Sequence, residues 1–136
     1  MQSDIQTPVS KGKLWAGRIT SWLPALFLLV DGIMKLFKPA PVVEATVKLG
    51  YSESVIVPLG IVLTLCTILY LIPRTAVLGA ILLTGYLGGA VATHVRAGEG
   101  WFPISFPIIF GILLWGGLYL RDHRLPKLIP LHQEGN

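Results

Sequence analysis

The side chains of this sequence with the clearest chemical potential lie near the ends of two apolar segments. Asp31 and Lys35 are four residues apart, so on a helix they share one face, with the acid in the favourable first position. Tyr86 and His94 share a face of a second helix in the same way. These residue types could form a structural ion pair and a satisfied histidine, or they could form a polar ligand-binding site. The sequence leaves both interpretations open.

Several other chemistries are excluded by what the sequence contains. Cys66 is the only cysteine, which excludes a disulfide framework, a redox cysteine pair and a cysteine-rich metal site. His94 with scattered acids has poor metal-ligand spacing, so we predict no metal. The sequence has no serine-nucleophile motif, no phosphate-binding glycine loop and no HExxH motif. We predict no stand-alone catalysis and no tightly bound cofactor, with a quinone or another lipophilic small molecule as the candidate ligand.

The segments that carry these residues have the composition of membrane helices. The chain of 136 residues is 53% hydrophobic and only 13% charged, about half the charged fraction of a soluble domain. Segments 55–72, 75–95 and 104–120 carry no charge and are long enough, or nearly so, to cross a bilayer. Segment 16–37 contains Arg18, Asp31 and Lys35, but it lacks a cleavage site and is predicted to be a retained helix. The expected fold is all-α, a transmembrane four-helix bundle in one domain, 1–136, with a polar tail, 121–136.

The order of the four predicted spans brings the polar residues together. The first and third spans both end on the same side of the membrane, so Asp31, Lys35, His94 and Arg96 are expected at similar depth. With Tyr86 they form the predicted polar cluster or ligand site. An ionisable residue inside a span is costly and is by default a candidate functional residue with a partner.

The loops and glycines add two structural expectations. The segment after the first span begins with Pro39 and Pro41 and has helical apolar spacing up to Gly50, which predicts a short amphipathic helix at the membrane interface. The third span is rich in glycine, and Gly85, Gly88 and Gly89 are predicted to allow close helix packing. The alternative is that their missing side chains leave a cavity.

Lysine and arginine predict the orientation and the surroundings of the chain. Seven of these residues fall on the side that carries both termini and four on the other side (Lys11, Lys13, Arg18, Arg74, Arg121, Arg124 and Lys127 against Lys35, Lys38, Lys48 and Arg96). By the positive-inside rule both termini are expected in the cytoplasm. The net charge of +4 matches anionic headgroups, and we predict no nucleic-acid partner.

Several motifs together resemble the DoxX-like family of small membrane proteins. They are Gly-x-x-Lys at 32–35, Leu-Gly-Tyr at 49–51, Ile-Pro-Arg-Thr at 72–75 and the glycine-rich segment that reaches His94. The resemblance covers most of the chain and implies a four-helix bundle in a bacterial inner membrane. The broader group takes its name from a subunit of a thiosulfate:quinone oxidoreductase and includes membrane partners of oxidative-stress enzymes and an assembly chaperone. Because this chain lacks a cysteine pair, the resemblance does not imply a thiol relay here.

Two functions from different classes follow from these observations. The first is a membrane subunit or accessory protein that binds a quinone or another lipophilic small molecule within the bundle. The second is a non-catalytic assembly or chaperone-like protein that uses its small-residue faces to bind a membrane partner or a second copy of itself. A four-span transporter is less well supported, because no inverted repeat relates the two halves.

Overall fold

The structure, a computed structural model, describes residues 11–122 and residue 125. Within them the chain forms helices and two single 3-10 turns, at Glu53–Val55 and Pro73–Thr75, and no strand. The helices are α1 (Lys11–Phe37), α2 (Ala40–Lys48), α3 (Ile56–Leu71), α4 (Ala76–Arg96) and α5 (Trp101–Arg121). The predicted all-α class is therefore confirmed. Most of the predicted polar tail lies outside the described residues.

The four long helices have the length and composition of membrane spans. Each of α1, α3 with its preceding turn, α4 with its preceding turn, and α5 is long and apolar enough to cross a bilayer. Large apolar side chains cover their outer faces; Leu23, Phe27 and Ile112 are 65%, 61% and 66% exposed. Water disfavours so much contiguous apolar surface, whereas lipid does not. The chain is an integral membrane protein, and the predicted transmembrane bundle is confirmed.

Backbone-breaking residues separate α1 from α2 and α2 from α3. Lys38 has a left-handed backbone (φ 54°) that ends α1, and Pro39 precedes the first residue of α2. Gly50 (φ 99°) follows α2 and adopts a conformation that side-chain-bearing residues rarely take. A short helix is thus present at Ala40–Lys48, as the sequence predicts. Its position at the membrane interface stays a prediction.

The four long helices are arranged in a ring. α1 packs against α3 and α5, and α4 also packs against α3 and α5, so α1 and α4 face each other across the bundle. Both the start of α1 and the end of α5 lie at one end of the bundle, the terminal end. The opposite end, which carries α2 and the link between α4 and α5, is the distal end.

Closely packed glycines bring three of the four neighbouring helix pairs together. An added Cβ at Gly17 would lie 2.9 Å from the Gly117 carbonyl oxygen, joining α1 to α5, and one at Gly32 would lie 2.5 Å from Thr64 Oγ1, joining α1 to α3. One at Gly79 would collide with the backbone of Tyr70, joining α4 to α3. Small residues at such points let helices approach closely where lipid gives no hydrophobic driving force.

The packing role predicted for Gly85, Gly88 and Gly89 is not found among the residues that the structure describes. A Cβ added at any of them would meet no heavy atom within 4 Å. The reason is angular: the α4 face that meets α3 and α5 carries Gly79, Leu83 and Leu87, all of them buried. The cavity alternative is the one that the geometry favours, as described below. Contact with a second copy stays a prediction.

Candidate functional site

A pocket of about 470 Å³ lies at the distal end, between α1 and α4 and beneath α2. Its floor is the glycine-rich part of α4, where Gly85, Gly89 and Ala90 contribute almost no side-chain volume. Leu59 of α3 adds an apolar wall, and α2 covers the pocket with the side chains of Val42, Ala45 and Thr46. We call this cavity the distal pocket. Its size is within the range of natural small-molecule sites, about 300–1,000 Å³.

The Asp31–Lys35 ion pair forms the charged side of the distal pocket. Lys35 Nζ donates to both Asp31 carboxylate oxygens, at 2.9 Å each. The lysine is the more buried partner, with its side chain 14% exposed against 39% for the aspartate. Lys35 therefore does not extend outward to the surface, as a lysine near the end of a span often does. The cation therefore depends on Asp31 for its counter-charge at this depth.

Tyr86 and His94 lie on the α4 side of the same pocket. The Tyr86 hydroxyl makes no hydrogen bond with any residue of the described part of the chain. His94 Nδ1 lies 2.6 Å from Glu99 Oε1, which fixes the orientation of the ring and leaves Nε2 for another partner. The pocket thus has a hydroxyl and a ring nitrogen that can bond to a guest molecule.

Of the predicted cluster, the structure brings together Asp31, Lys35, Tyr86 and His94 but not Arg96. Arg96 Nη2 donates to the Leu49 carbonyl oxygen at 3.0 Å, beside the turn that follows α2. Two residues beyond His94, the arginine points to a different side of the helix, although it lies at similar depth. Its contact ties the end of α4 to the segment that closes the pocket. Among the described residues, Asp31 pairs with Lys35 and not with His94 or Arg96.

The sequence did not predict the hydrogen bond that holds the segment after α2 against α4, at the edge of the distal pocket. The Tyr51 hydroxyl and Thr93 Oγ1 are 2.7 Å apart, and both residues line the pocket. Thr93 also donates to the Gly89 carbonyl oxygen at 2.8 Å, so its own hydroxyl accepts from Tyr51. The Leu-Gly-Tyr motif at 49–51 was the available signal, because it places an aromatic hydroxyl directly after α2.

The arrangement suits hydrogen bonding and charge stabilisation. Within residues 11–122 and residue 125, no group of three histidine, cysteine or acidic residues could hold a metal ion. Cys66 is buried and lies outside the distal pocket. What the pocket offers is an ammonium group, a free hydroxyl and an imidazole above an apolar glycine floor.

Comparison with known proteins gives one result. A family model described as the DoxX-like family matches residues 19–117, a range that includes all four long helices in whole or in large part. The comparisons with curated proteins and with solved structures gave no match.

Proposed function

The chain belongs to the DoxX-like family, and we propose that it is a membrane subunit or accessory protein that binds a lipophilic small molecule in the distal pocket. The observation that carries this proposal is the Tyr86 hydroxyl, which lines the pocket without a hydrogen-bond partner among the described residues. The Tyr86 hydroxyl needs an acceptor from a ligand or from water, because no described residue supplies one. A ligand with a polar acceptor and an apolar body meets that need.

A quinone headgroup fits this chemistry well. Its two carbonyl oxygens are acceptors, and Lys35 and Tyr86 can each supply a donor. Because His94 donates its Nδ1–H to Glu99, the Nε2 of a neutral ring is an acceptor and suits a hydroxyl of the reduced quinol. The flat ring suits a floor made of Gly85 and Gly89, where the backbone is accessible because there is no side chain. An isoprenoid tail would continue into the surrounding lipid.

The first test fills the pocket from its floor. We expect Gly89→Leu to weaken binding of a benzoquinone with one isoprene unit by about ten-fold or more, because the new side chain occupies the cavity. Stability should change little, since a Cβ at Gly89 meets no atom within 4 Å and the distal pocket of about 470 Å³ has room for the rest of the leucine side chain. Calorimetric titration in phosphatidylcholine nanodiscs measures the benzoquinone affinity of the purified unchanged protein and of the purified variant.

Gly88→Leu is the matched control for this test. Gly88 is the neighbouring residue but lines a separate groove with Trp115 and Ile112 on another side of α4. Its substitution should change quinone affinity by less than about two-fold. Equal affinity of the Gly89→Leu variant and the unchanged protein would contradict the proposal, as would equal losses in both variants.

The second candidate function, membrane assembly, is supported by that separate groove. It has a volume of about 390 Å³ and is lined by Gly88, Thr84 and apolar side chains of α4 and α5. A helix of another protein or of a second copy could pack there, as small residues permit. This function predicts that Gly88→Leu removes a stoichiometric protein partner or dissociates a homo-oligomer, while Gly89→Leu has no such effect.

We further propose a bacterial inner-membrane location with both termini in the cytoplasm. The excess of lysine and arginine at the terminal end supports this orientation. An alkaline phosphatase inserted within segment 39–50 should be active, and one fused after Asn136 should be inactive, because the enzyme works only outside the cytoplasm. Activity of the C-terminal fusion would reverse the topology.

A further inference from the structure

A second cavity, of about 520 Å³, lies at the terminal end of the bundle. It is bounded by α1, by the turn between α3 and α4, and by the end of α5. Six of its nine lining residues are apolar, and the other three are Arg18, Arg121 and Asp122. We call it the terminal cavity. The proposed quinone site lies at the other end of the molecule and has no part in it.

The charged residues that line the terminal cavity are two arginines and one acid, Asp122, so positive charges outnumber negative ones there. Arg18 lies over the ring of Trp15 at 5.2 Å, and Arg121 lies over the ring of Tyr70 at 5.1 Å. Such stacking orients a guanidinium but leaves its hydrogen-bond donors available.

Arg121 has a donor that the protein does not satisfy. One of its terminal nitrogens, Nη2, donates to the Tyr70 carbonyl oxygen at 3.4 Å, a long contact. Its Nε is fully buried and has no hydrogen-bond partner in the described part of the chain. Buried donors in folded proteins are almost always paired. An acceptor that belongs to a bound molecule would complete this arrangement.

We propose that the terminal cavity binds the phosphate group of an anionic phospholipid. Guanidinium groups recognise phosphate through paired, charge-assisted hydrogen bonds. Basic pockets between spans at the headgroup level are suited to anionic lipid headgroups. The apolar lining, including Leu14, Trp22 and Leu118, provides a surface for the first part of an acyl chain, which a free phosphate ion lacks.

The test measures lipid retention by native mass spectrometry. The purified protein is exchanged into micelles that contain equimolar phosphatidylglycerol and phosphatidylcholine. The unchanged protein should retain phosphatidylglycerol preferentially, and the Arg18→Gln/Arg121→Gln variant should lose that preference by about ten-fold or more. Arg18→Gln alone should lower it by about three-fold; Arg18 stacks only on an exposed tryptophan, so this variant tests the site even if the double variant does not fold.

Arg74→Gln is the matched control, because it removes the same charge at the same end of the bundle. Arg74 lies in the exposed turn between α3 and α4 and does not line the cavity. It should change the preference by less than about two-fold. An equal loss in Arg74→Gln, or no loss in the Arg18→Gln variant, would overturn the proposal. Displacement of the lipid by inorganic phosphate, with phosphate bound in its place, would assign the cavity to a free anion instead.

Discussion

Gly79→Ala is expected to destabilise the bundle by about 2–3 kcal/mol, although it adds only one methyl group. A Cβ at this position would lie 2.5 Å from Tyr70 Cα and 2.8 Å from the Leu69 carbonyl carbon. These are backbone atoms of α3, which cannot rotate away as the end of a flexible side chain could. Accommodating the methyl group therefore requires α3 and α4 to move apart.

The damage should spread because Tyr70 links three helices. Its side chain is completely buried, and its hydroxyl donates to the Leu114 carbonyl oxygen of α5 at 2.5 Å. The guanidinium of Arg121 lies over the same ring. A shift of α3 away from α4 would therefore also disturb its contact with α5.

Gly88→Ala is the matched control on the same helix. No atom lies within 4 Å of an added Cβ there, and alanine favours a helix over glycine by up to about 1 kcal/mol. Unfolding by titration with sodium dodecyl sulfate from mild detergent should show Gly88→Ala at least as stable as the unchanged protein. Equal stability of the Gly79→Ala and Gly88→Ala variants would mean that α3 and α4 are not in close contact at Gly79.

These glycines show which part of the packing could be predicted from the sequence. The four-residue spacing of Gly85 and Gly89 predicts a face of α4 with little side-chain volume. Whether another helix fills that space depends on the order of the helices around the bundle, and the spacing holds no information about that order. Spacing also fails to separate the glycines that pack closely from those that do not. Gly17 packs closely and begins a four-residue repeat of small residues that continues to Ala25, whereas Gly32 packs closely with a leucine four residues away on each side.

The sequence predicts which site residues lie at the same depth in the membrane, but not which of them face the same pocket. Three charge-free segments and the apolar segment 16–37 predict four spans, and the alternating direction of these spans correctly places Asp31 and His94 at the same end. Arg96 lies at the same depth, but its side chain leaves α4 on another side and donates a hydrogen bond to the Leu49 carbonyl oxygen. The contribution of α2 could not be predicted, because the docking of a short helix depends on tertiary contacts such as the one between Tyr51 and Thr93.

The Asp31–Lys35 pair should respond asymmetrically to substitution. Asp31→Asn leaves the more buried lysine without its counter-charge and is expected to cost about 2 kcal/mol. Lys35→Met keeps the stem of the side chain, whose Cβ packs near Gly60. It leaves a carboxylate that is 39% exposed and borders the distal pocket, where water can hydrate it. We expect this second variant to lose about 1 kcal/mol or less. The same detergent titration compares them.

The double variant Asp31→Asn/Lys35→Met separates a structural role from a ligand-binding one. Removing both charges leaves no unpaired ion, so stability should return close to that of the unchanged protein. If the pair only braces α1, quinone affinity should return as well. If Lys35 donates to the ligand, the double variant should be stable yet bind the isoprenyl benzoquinone about ten-fold or more weakly. We expect the second result, because the pair lines the distal pocket beside Tyr86, and full recovery of affinity would show that these charges only support the helix.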